Sequence, residues 1–415
     1  RRKKQMNFRT ILKFAWRYFK AKKSTNAINI ISWVSVVAIV FGTASLVVIL
    51  SAFNGFESLV KSLYASFYPD VKISPAKGQM ITLTQTQLDQ LRGINGIATI
   101  SLVAEEKALI QNGGLQTVVH IKGVDSNYAQ VAGIADHLYR GEYILGNEDQ
   151  PGLVFGIGVE QALGLLSNQS IAPVSVYLPK KNNVSTTDPL SSLSLATANP
   201  TASFAIQSEF DNKYVITNLD FIRLYSGYEQ DQYSAVEIKV EQDANVAQVV
   251  ESVASLLGST YKVEDRYQQN NTLYTTIQLE KLAIYGIFSL ILVVAAFNMI
   301  GALSMLVLEK KKDIQVLLAM GADQSLVQKI FLAEGILLSS IGTLGGMIIA
   351  VILYYIQITY KLVPLQGETF LIDYYPVKLS VSDFLLVGLT VFTIGIIASW
   401  IPSRKASAEK LDLRN

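Results

Sequence analysis

The 415-residue sequence has no cysteine, only two histidines and a charged fraction of 16%. Without cysteine there are no disulfides, no thiolate chemistry and no lipid attached to this chain through a thiol. Any folded domain must therefore rest on packing alone. His120 and His137 are far apart in the sequence, with no carboxylate cluster around either. That scarcity argues against a metal site or a serine triad, which normally depend on imidazole. No Gly-x-x-x-x-Gly-Lys-Ser/Thr motif occurs to cradle a phosphate. In "FGIGVEQALG" the third glycine comes six positions after the second, which fails the dinucleotide pattern. Gly156 and Gly158 read instead as turn glycines before a helix. Glu105 and Glu106 fall on opposite faces of a predicted strand and read as surface charges. The net charge is +2 and no soluble stretch carries an evident basic face, so nucleic acid is not an expected partner.

What the sequence has in excess is apolar length. Half of its residues are hydrophobic and the mean hydropathy is +0.32, too apolar for an ordinary soluble protein of this size. Four runs are long enough and free enough of charge to cross a bilayer: roughly 27–53, 282–308, 330–360 and 384–401. The first exceeds a signal-peptide core and no small-residue cleavage site clearly follows it, so it reads as a retained anchor. Glu280, Lys281, Glu309 and Glu334 fall near the ends of these runs. A proton relay or ion-coupled carrier usually needs charge at mid-membrane, so energy is expected from another subunit.

Between the first and second runs lie about 225 residues, enough for a folded domain with its own core. Lys and Arg gather before the first run (Arg9, Lys13, Arg17, Lys20, Lys22, Lys23), after the second (Lys310, Lys311, Lys312) and after the fourth (Arg404, Lys405, Arg414). The positive-inside rule places these on the cytoplasmic side and the large domain on the other. The fold class expected is an α+β membrane protein with four transmembrane helices, one plus three, and a large extracytoplasmic α+β domain between the first and second.

Residues 6–23 place Phe8, Ile11, Leu12, Ala15 and Phe19 at helical spacing, as in an interfacial amphipathic helix. Val60, Leu63, Tyr64 and Phe67 continue a helical pattern beyond the first run up to Pro69, and "NNTLYTTIQLEKLAIYG" is a similar extension before the second. Two such extensions would form a stalk under the outer domain. Inside that domain, "DVKISP", "GIATISLVAEEKALIQ", "LQTVVHIKGV", "IAPVSVYLP", "NKYVITN" and "YSAVEIKVE" read as strands, and "TQTQLDQLRG", "GVEQALGLL", "NLDFIRLYS" and "NVAQVVESVASLLG" as helices. Residues 180–203 are rich in Ser, Thr, Asn and Pro and read as one long loop. The third run carries Gly342 and Gly346 as a GxxxG, suited to close packing against another helix of this chain or of a second subunit. After the second run, Glu309 to Met320 suits a helix, Gly321 its C-cap and Asp323 the N-cap of the next.

That cytoplasmic segment, "EKKKDIQVLLAMGADQSLVQKIFLAEG", resembles the MacB/FtsX-type ABC permeases in its charged start, Met-Gly-Ala turn and Phe-Leu-x-Glu-Gly opening of the third run. "SVVAIVFGTASLVVILSAFNGFESLVKSLYASFYPDVKI", "VVAAFNMIGALSMLVLEKKKDI", "FLIDYYP" and "ASWIPSRKASAEKL" resemble the lipoprotein-releasing LolC/LolE branch over essentially the full length. The resemblance implies a permease subunit that extracts lipoproteins from the outer leaflet of the inner membrane and passes them to a periplasmic chaperone. It implies a cytoplasmic ABC ATPase dimer as partner, with ATP and Mg2+ bound there and no cofactor or catalytic residue on this chain. A second permease, identical or different, membrane lipids and a triacylated lipoprotein cargo complete the set.

Residue by residue, the resemblance points to Phe53, Phe370, Leu371, Tyr374 and Tyr375 as lipoprotein-binding, the alternative being an interfacial aromatic belt. It points to Glu309, Lys310, Met320, Gly321 and Ala322 as the ATPase-coupling segment. Pro189 and Pro200 fall where the family carries a chaperone-binding hook. LolE-like wording near the fourth run and a LolC-like hook would combine two roles in one chain. A MacB-like exporter and an FtsX-like regulator of a cell-wall hydrolase share the same architecture.

Overall fold

The computed structural model describes residues 26–167, 172–180, 193–365 and 374–408. The amphipathic segment 6–23, Pro189, Phe370 and Leu371 lie outside the described residues. The chain forms two compact units, one of residues 59–275 with 365–373, the other of the remainder.

The membrane unit is built on α1 (Asn26–Phe67), α2 (Asn271–Glu309), the short α3 (Lys311–Ala319), α4 (Gln324–Tyr360) and α5 (Val381–Ser407). α1, α2, α4 and α5 are each long and apolar enough to span a bilayer. With 42 and 39 residues, α1 and α2 each run about 60 Å, roughly twice the hydrocarbon thickness. Both are continuous across the boundary between the two units. Among the described residues there are thus four candidate membrane crossings, with the large domain inserted between the first and the second.

Small residues set how closely these helices approach. A Cβ added at Gly346 would fall 2.6 Å from both Thr43 Cβ and the Val40 carbonyl oxygen, and one at Gly342 2.6 Å from Ile39 Cγ2. The GxxxG of α4 therefore seats α1 of the same chain. On the α5 side the arrangement is reciprocal: Gly335 faces Ser399, and Gly395 faces Ser339. Both serines return their hydroxyls to helical carbonyls four residues back, so neither presents an unpaired group to lipid. Glu334 departs from expectation. It is 1% exposed and sits inside α4, because that helix begins at Gln324, ahead of the apolar run.

The outer unit holds one ten-stranded sheet: β1 (Val71–Pro75), β3 (Ile97–Asn112), β4 (Leu115–Val124), β5 (Leu138–Gly141), β6 (Gly152–Gly156), β7 (Val174–Pro179), β8 (Leu193–Phe204), β9 (Tyr214–Asn218), β11 (Ala235–Val240) and β12 (Tyr261–Asp265). A two-stranded ribbon pairs β2 (Ile81–Thr82) with β10 (Gln232–Tyr233). The long β3 organises the sheet. Its first half pairs with β11 (Glu237↔Ser101), its last residues pair with β7 (Leu109↔Tyr177), and β4 runs along the other edge. Gly113 at φ 56° closes the β3–β4 hairpin between the paired Asn112 and Leu115. Following the pairings β3–β4–β9–β6–β8–β7 leads back to β3, so six strands close a ring and hide their edges. One apolar core runs through the unit, from Val71 and Ile238 to Phe155, Val176 and Val215.

Two expectations fail here. The loop expected over 180–203 ends early, because Leu193–Phe204 is strand β8, paired with β7 from Pro179↔Leu193 to Val174↔Ala198. Ala196, Ala198, Pro200 and Ala202 alternate inward and are buried. Pro200 is therefore a strand residue opposite Leu153 of β6 and not a loop contact. Glu105 and Glu106 are half-buried, and each has a partner that the sequence reading did not give it. Glu105 lies 3.0 Å from His120 Nδ1, and Glu106 accepts a 2.7 Å hydrogen bond from the Tyr228 hydroxyl. Burial alone would raise the Glu105 pKa, but the His120 hydrogen bond and the charges of Lys122 and Lys72 outweigh it and hold the carboxyl below its ordinary range.

Beside this pair, Lys122 is 3% exposed and donates to Glu237 at 2.7 Å and to the Tyr128 hydroxyl at 2.9 Å. Its ammonium also lies over the rings of Tyr128 (4.7 Å) and Phe67 (5.3 Å). Phe67, on the last turn of α1, stacks on Phe210 at 4.3 Å and leans on Tyr214 at 4.6 Å. Residues 59–67 of α1 belong to the outer unit, and within it their last turn packs in an aromatic and cationic socket.

Candidate functional site

Within the membrane unit, "SAFNGF" on α1 and the "YYP" stretch ahead of α5 are brought together. At Gly55 an added Cβ would overlap the Pro376 carbonyl and lie 2.6 Å from Val377 Cα, so only glycine lets the loop lie down on the helix. The Lys378 amide donates to the Ser51 carbonyl at 2.9 Å, and Phe56 stacks on Tyr375 with centroids 6.3 Å apart. Asn54 joins the helices: Lys281 of α2 donates to its Oδ1 at 2.6 Å, while its Nδ2 donates to the Asp383 carboxylate of α5. Lys281 and Asp383 themselves stand 3.9 Å apart.

Gln357, buried near the end of α4, holds the loop from the other side. Its amide nitrogen Nε2 donates to the carbonyls of Tyr375 (3.0 Å) and Val363 (3.2 Å), and its Oε1 accepts from the Val363 amide (3.0 Å). The Tyr375 amide returns to the Val363 carbonyl at 2.9 Å, and Pro364 bridges Tyr374. Burial pushes the Tyr375 phenol up, so it stays neutral. Behind this strap lies a cavity of about 400 Å3 lined by Val48, Ser51, Ala52, Ala350, Leu353, Tyr354, Gln357, Tyr375 and neighbouring aliphatics.

Of the residues expected to bind lipoprotein, Tyr375 lines the cavity. Tyr374 lies beside it under the Lys361 ammonium at 4.2 Å. Phe53 is half-buried on α1 and is not among the lining residues. Ser51, Asn54, Lys281, Gln357 and Asp383 escaped sequence reasoning. Two signals were available: Asn54, a polar residue inside a motif, and Gln357, a lone amide at the end of an apolar run.

On the cytoplasmic side, α2 ends at Glu309 and α3 follows directly. Lys310 is the junction, with its ammonium 3.2 Å from Asp313. The Met-Gly-Ala turn has a physical reason. Met320 caps α3, Gly321 takes φ 90°, the Gly321 amide donates to Leu318 and the Ala322 amide to Leu317, both at 3.0 Å. This is a Schellman stop, which needs glycine at the left-handed position. Ile314 is buried and roots α3 in the unit, whereas Val316 and Met320, one turn apart, are exposed, Met320 at 77%. α3 therefore offers a small apolar face on a rigid turn.

Residues 285–411 match the family model of the FtsX-like permease C-terminal region, and 32–174 that of the MacB-like periplasmic core domain. The chain is 26% identical to the lipoprotein-releasing system transmembrane protein LolC of Neisseria meningitidis serogroup B, over 95% of this chain and 96% of that protein. It is 24% identical to the lipoprotein-releasing system transmembrane protein LolE of Haemophilus influenzae, over 95% and 96%. The pyoverdine export ATP-binding/permease protein PvdT of Pseudomonas syringae pv. syringae is 23% identical over 95% of this chain but 57% of that protein. The one-plus-three helices and the inserted domain agree with these similarities: the chain resembles LolC and LolE transmembrane proteins over nearly its full length, and the FtsX-like and MacB-like permease families over its C-terminal region and its outer domain.

Proposed function

We propose that this permease subunit extracts triacylated lipoproteins from the outer leaflet of the inner membrane and hands them to a periplasmic chaperone. The observation that carries the reading is the end-to-end similarity to LolC and LolE transmembrane proteins. An ATPase dimer, which binds ATP and Mg2+, docks on α3 around Glu309, Lys310, Met320, Gly321 and Ala322. A second permease, the same or different, completes the complex.

The energetics shape the mechanism. Each buried methylene is worth about 0.8 kcal/mol, so the roughly 40 methylenes of three acyl chains cost on the order of 30 kcal/mol if exposed together. Cargo must therefore stay against apolar walls as it rises. In this reading it enters between α1 and α2 of paired permeases and meets Phe53, Phe370, Leu371, Tyr374 and Tyr375. Nucleotide binding moves α3, and the long α1 and α2 carry the motion outward. The segment between β7 and β8, with Pro189, then presents the cargo to the chaperone. Pro200, the other residue expected there, lies in β8 opposite Leu153 of β6.

Reconstitution with the ATPase in proteoliposomes carrying a triacylated lipoprotein tests this. ATP- and chaperone-dependent appearance of soluble cargo, lost in Phe53→Asp, is the expected result. Vigorous ATP hydrolysis without release, cognate chaperone present, overturns it. The similarity to the exporter PvdT supports a second reading, export of a small molecule or peptide, for which docking to a ring-forming adaptor is the discriminating assay. A cell-wall hydrolase bound to the outer unit would instead mark an FtsX-like regulator.

A further inference from the structure

The two faces of α5 differ along its whole length. One face is buried in the membrane unit and built of small residues, among them Gly395, Ala398, Ser399 and Ser403. The other carries Leu385, Leu389, Phe392, Ile397, Trp400 and Ile401, all exposed, as on a helix that faces hydrocarbon. The apolar run ends at Ile401, and within the next turn stand Arg404 and Lys405, both exposed. The positive-inside rule puts this end on the cytoplasmic side. Trp400 then falls at the membrane interface and the two cations at the depth of the inner-leaflet headgroups.

Three observations set these cations apart. The Arg404 guanidinium lies over the Trp400 ring, 5.3 Å from its centroid, which keeps it on the lipid-facing side of the helix. The register of α4 against α5 adds a third charge: Gly335 faces Ser399 and Gly395 faces Ser339, so in this antiparallel pair the exposed Lys329 stands level with Lys405. Finally, other cations of the unit are already answered. Lys281 stands 3.9 Å from Asp383, Lys310 3.2 Å from Asp313, and Lys361 lies over the Tyr374 ring. Among the described residues no carboxylate pairs with Arg404, Lys405 or Lys329.

The occupant must supply both a negative charge and apolar length. A soluble anion would leave Ile397, Trp400 and Ile401 uncovered, and an apolar helix would leave three cations unanswered. We infer that the cytoplasmic ends of α4 and α5 form a binding site for an anionic phospholipid. Its phosphate is held by Arg404, Lys405 and Lys329, the Trp400 indole N–H donates at the level of the ester carbonyls, and the acyl chains lie along Ile401 and Ile397. The site does not depend on the reaction proposed above, since it lies in the leaflet opposite the one the cargo leaves.

The test uses the full permease in complex with its ATPase, delipidated in detergent, with native mass spectrometry to count bound lipid. Dioleoyl phosphatidylglycerol is the probe, and dioleoyl phosphatidylethanolamine, with the same chains and no net charge, is the reference. The complex should bind the anionic lipid at least tenfold more tightly. Arg404→Gln should weaken that binding about fivefold, the scale of one basic residue at a membrane surface, and Arg404→Gln with Lys405→Gln more than tenfold. Phosphatidylethanolamine binding and the melting temperature should stay unchanged, and Arg404→Lys should retain most of the affinity. Lys361→Gln removes the same charge at the other end of α4 and should have no effect. Equal affinity for the two lipids, or an equal loss in Lys361→Gln, overturns the inference. Displacement of the lipid by inorganic phosphate overturns it too, by assigning the cations to a soluble anion. Binding to the permease alone but not to the complex would mean that the ATPase covers these residues, and would likewise overturn it. Failure of this site alongside intact lipoprotein release would leave the proposed function standing.

Discussion

The two units solve the same packing problem with opposite materials. The outer unit, folded in water, buries Phe155, Phe204, Phe210 and Phe221 and can carry a sealed ion pair, Lys122–Glu237. The membrane unit gains little from burying apolar surface, since lipid is as apolar as its core, and instead brings backbones together through Gly335, Gly342, Gly346 and Gly395. Volume and charge balance limit one unit; closeness of approach limits the other. A substitution should therefore do harm for a different reason in each.

The sharpest way to break this comparison is to remove half of the buried pair. Lys122→Met strands Glu237 in the core and is expected to destabilise the outer unit by about 3–5 kcal/mol, whereas Lys122→Met with Glu237→Leu recovers most of the loss. Hydrogen exchange in β4 and β11 of the full chain reads both. If the double variant is as unstable as the single one, the pair is not what organises that region. Next in size, Gln357→Leu leaves the Val363 amide and the Tyr375 carbonyl of the α4–α5 strap without partners. Roughly 2–3 kcal/mol of local protection should disappear over 361–365 and 374–378, with the helices unchanged.

Gly346→Val drives a branched side chain into Thr43 and Val40, with an expected loss of about 1–3 kcal/mol, seen as an earlier melt in detergent. Gly301→Ala, which meets nothing within 4 Å, should be neutral or slightly stabilising in the same assay. Equal effects at the two glycines would mean that close approach is not the organising feature.

The smallest effect is a pH dependence confined to the outer unit. Burial pushes the Asp211 carboxyl from 3.8 to about 6, only partly offset by hydrogen bonds from the Ile206 and Gln207 amides. The folded state then holds its proton more tightly than the unfolded state. The stability it contributes is complete below about pH 4 and is lost as pH rises through about 6, an effect of about 1–2 kcal/mol after allowance for solvent screening. Asp211→Asn should flatten that slope in urea titrations between pH 4 and 7.

Much of the membrane unit was legible because lipid demands uninterrupted apolar runs, and the Met-Gly-Ala turn because a left-handed residue demands glycine. β8 was not, since Ala196, Ala198 and Ala202 are small and their alternation is hidden among Ser, Thr and Asn. Ring closure depends on β7 meeting β3, a non-local pairing with no local signature. Glu105 read as a surface charge because its partner His120 is set by the hairpin register and not by proximity in sequence. The cavity stayed invisible for a related reason: its walls are ordinary apolar residues, and only the three-dimensional course of the strap encloses a space.

The ring of β3, β4, β9, β6, β8 and β7 has one further consequence, for engineering. Its β7–β8 hairpin is fixed right up to its mouth, where Pro179 pairs with Leu193, and the ring leaves no free edge for a foreign strand to invade. The ends of the connecting segment are held a constant distance apart by the barrel itself. A tag, a fluorophore-bearing peptide or a small folded module could be spliced between 180 and 192 without disturbing the scaffold on either side. The same position could thus serve as a handle for single-molecule force or fluorescence work on the periplasmic face.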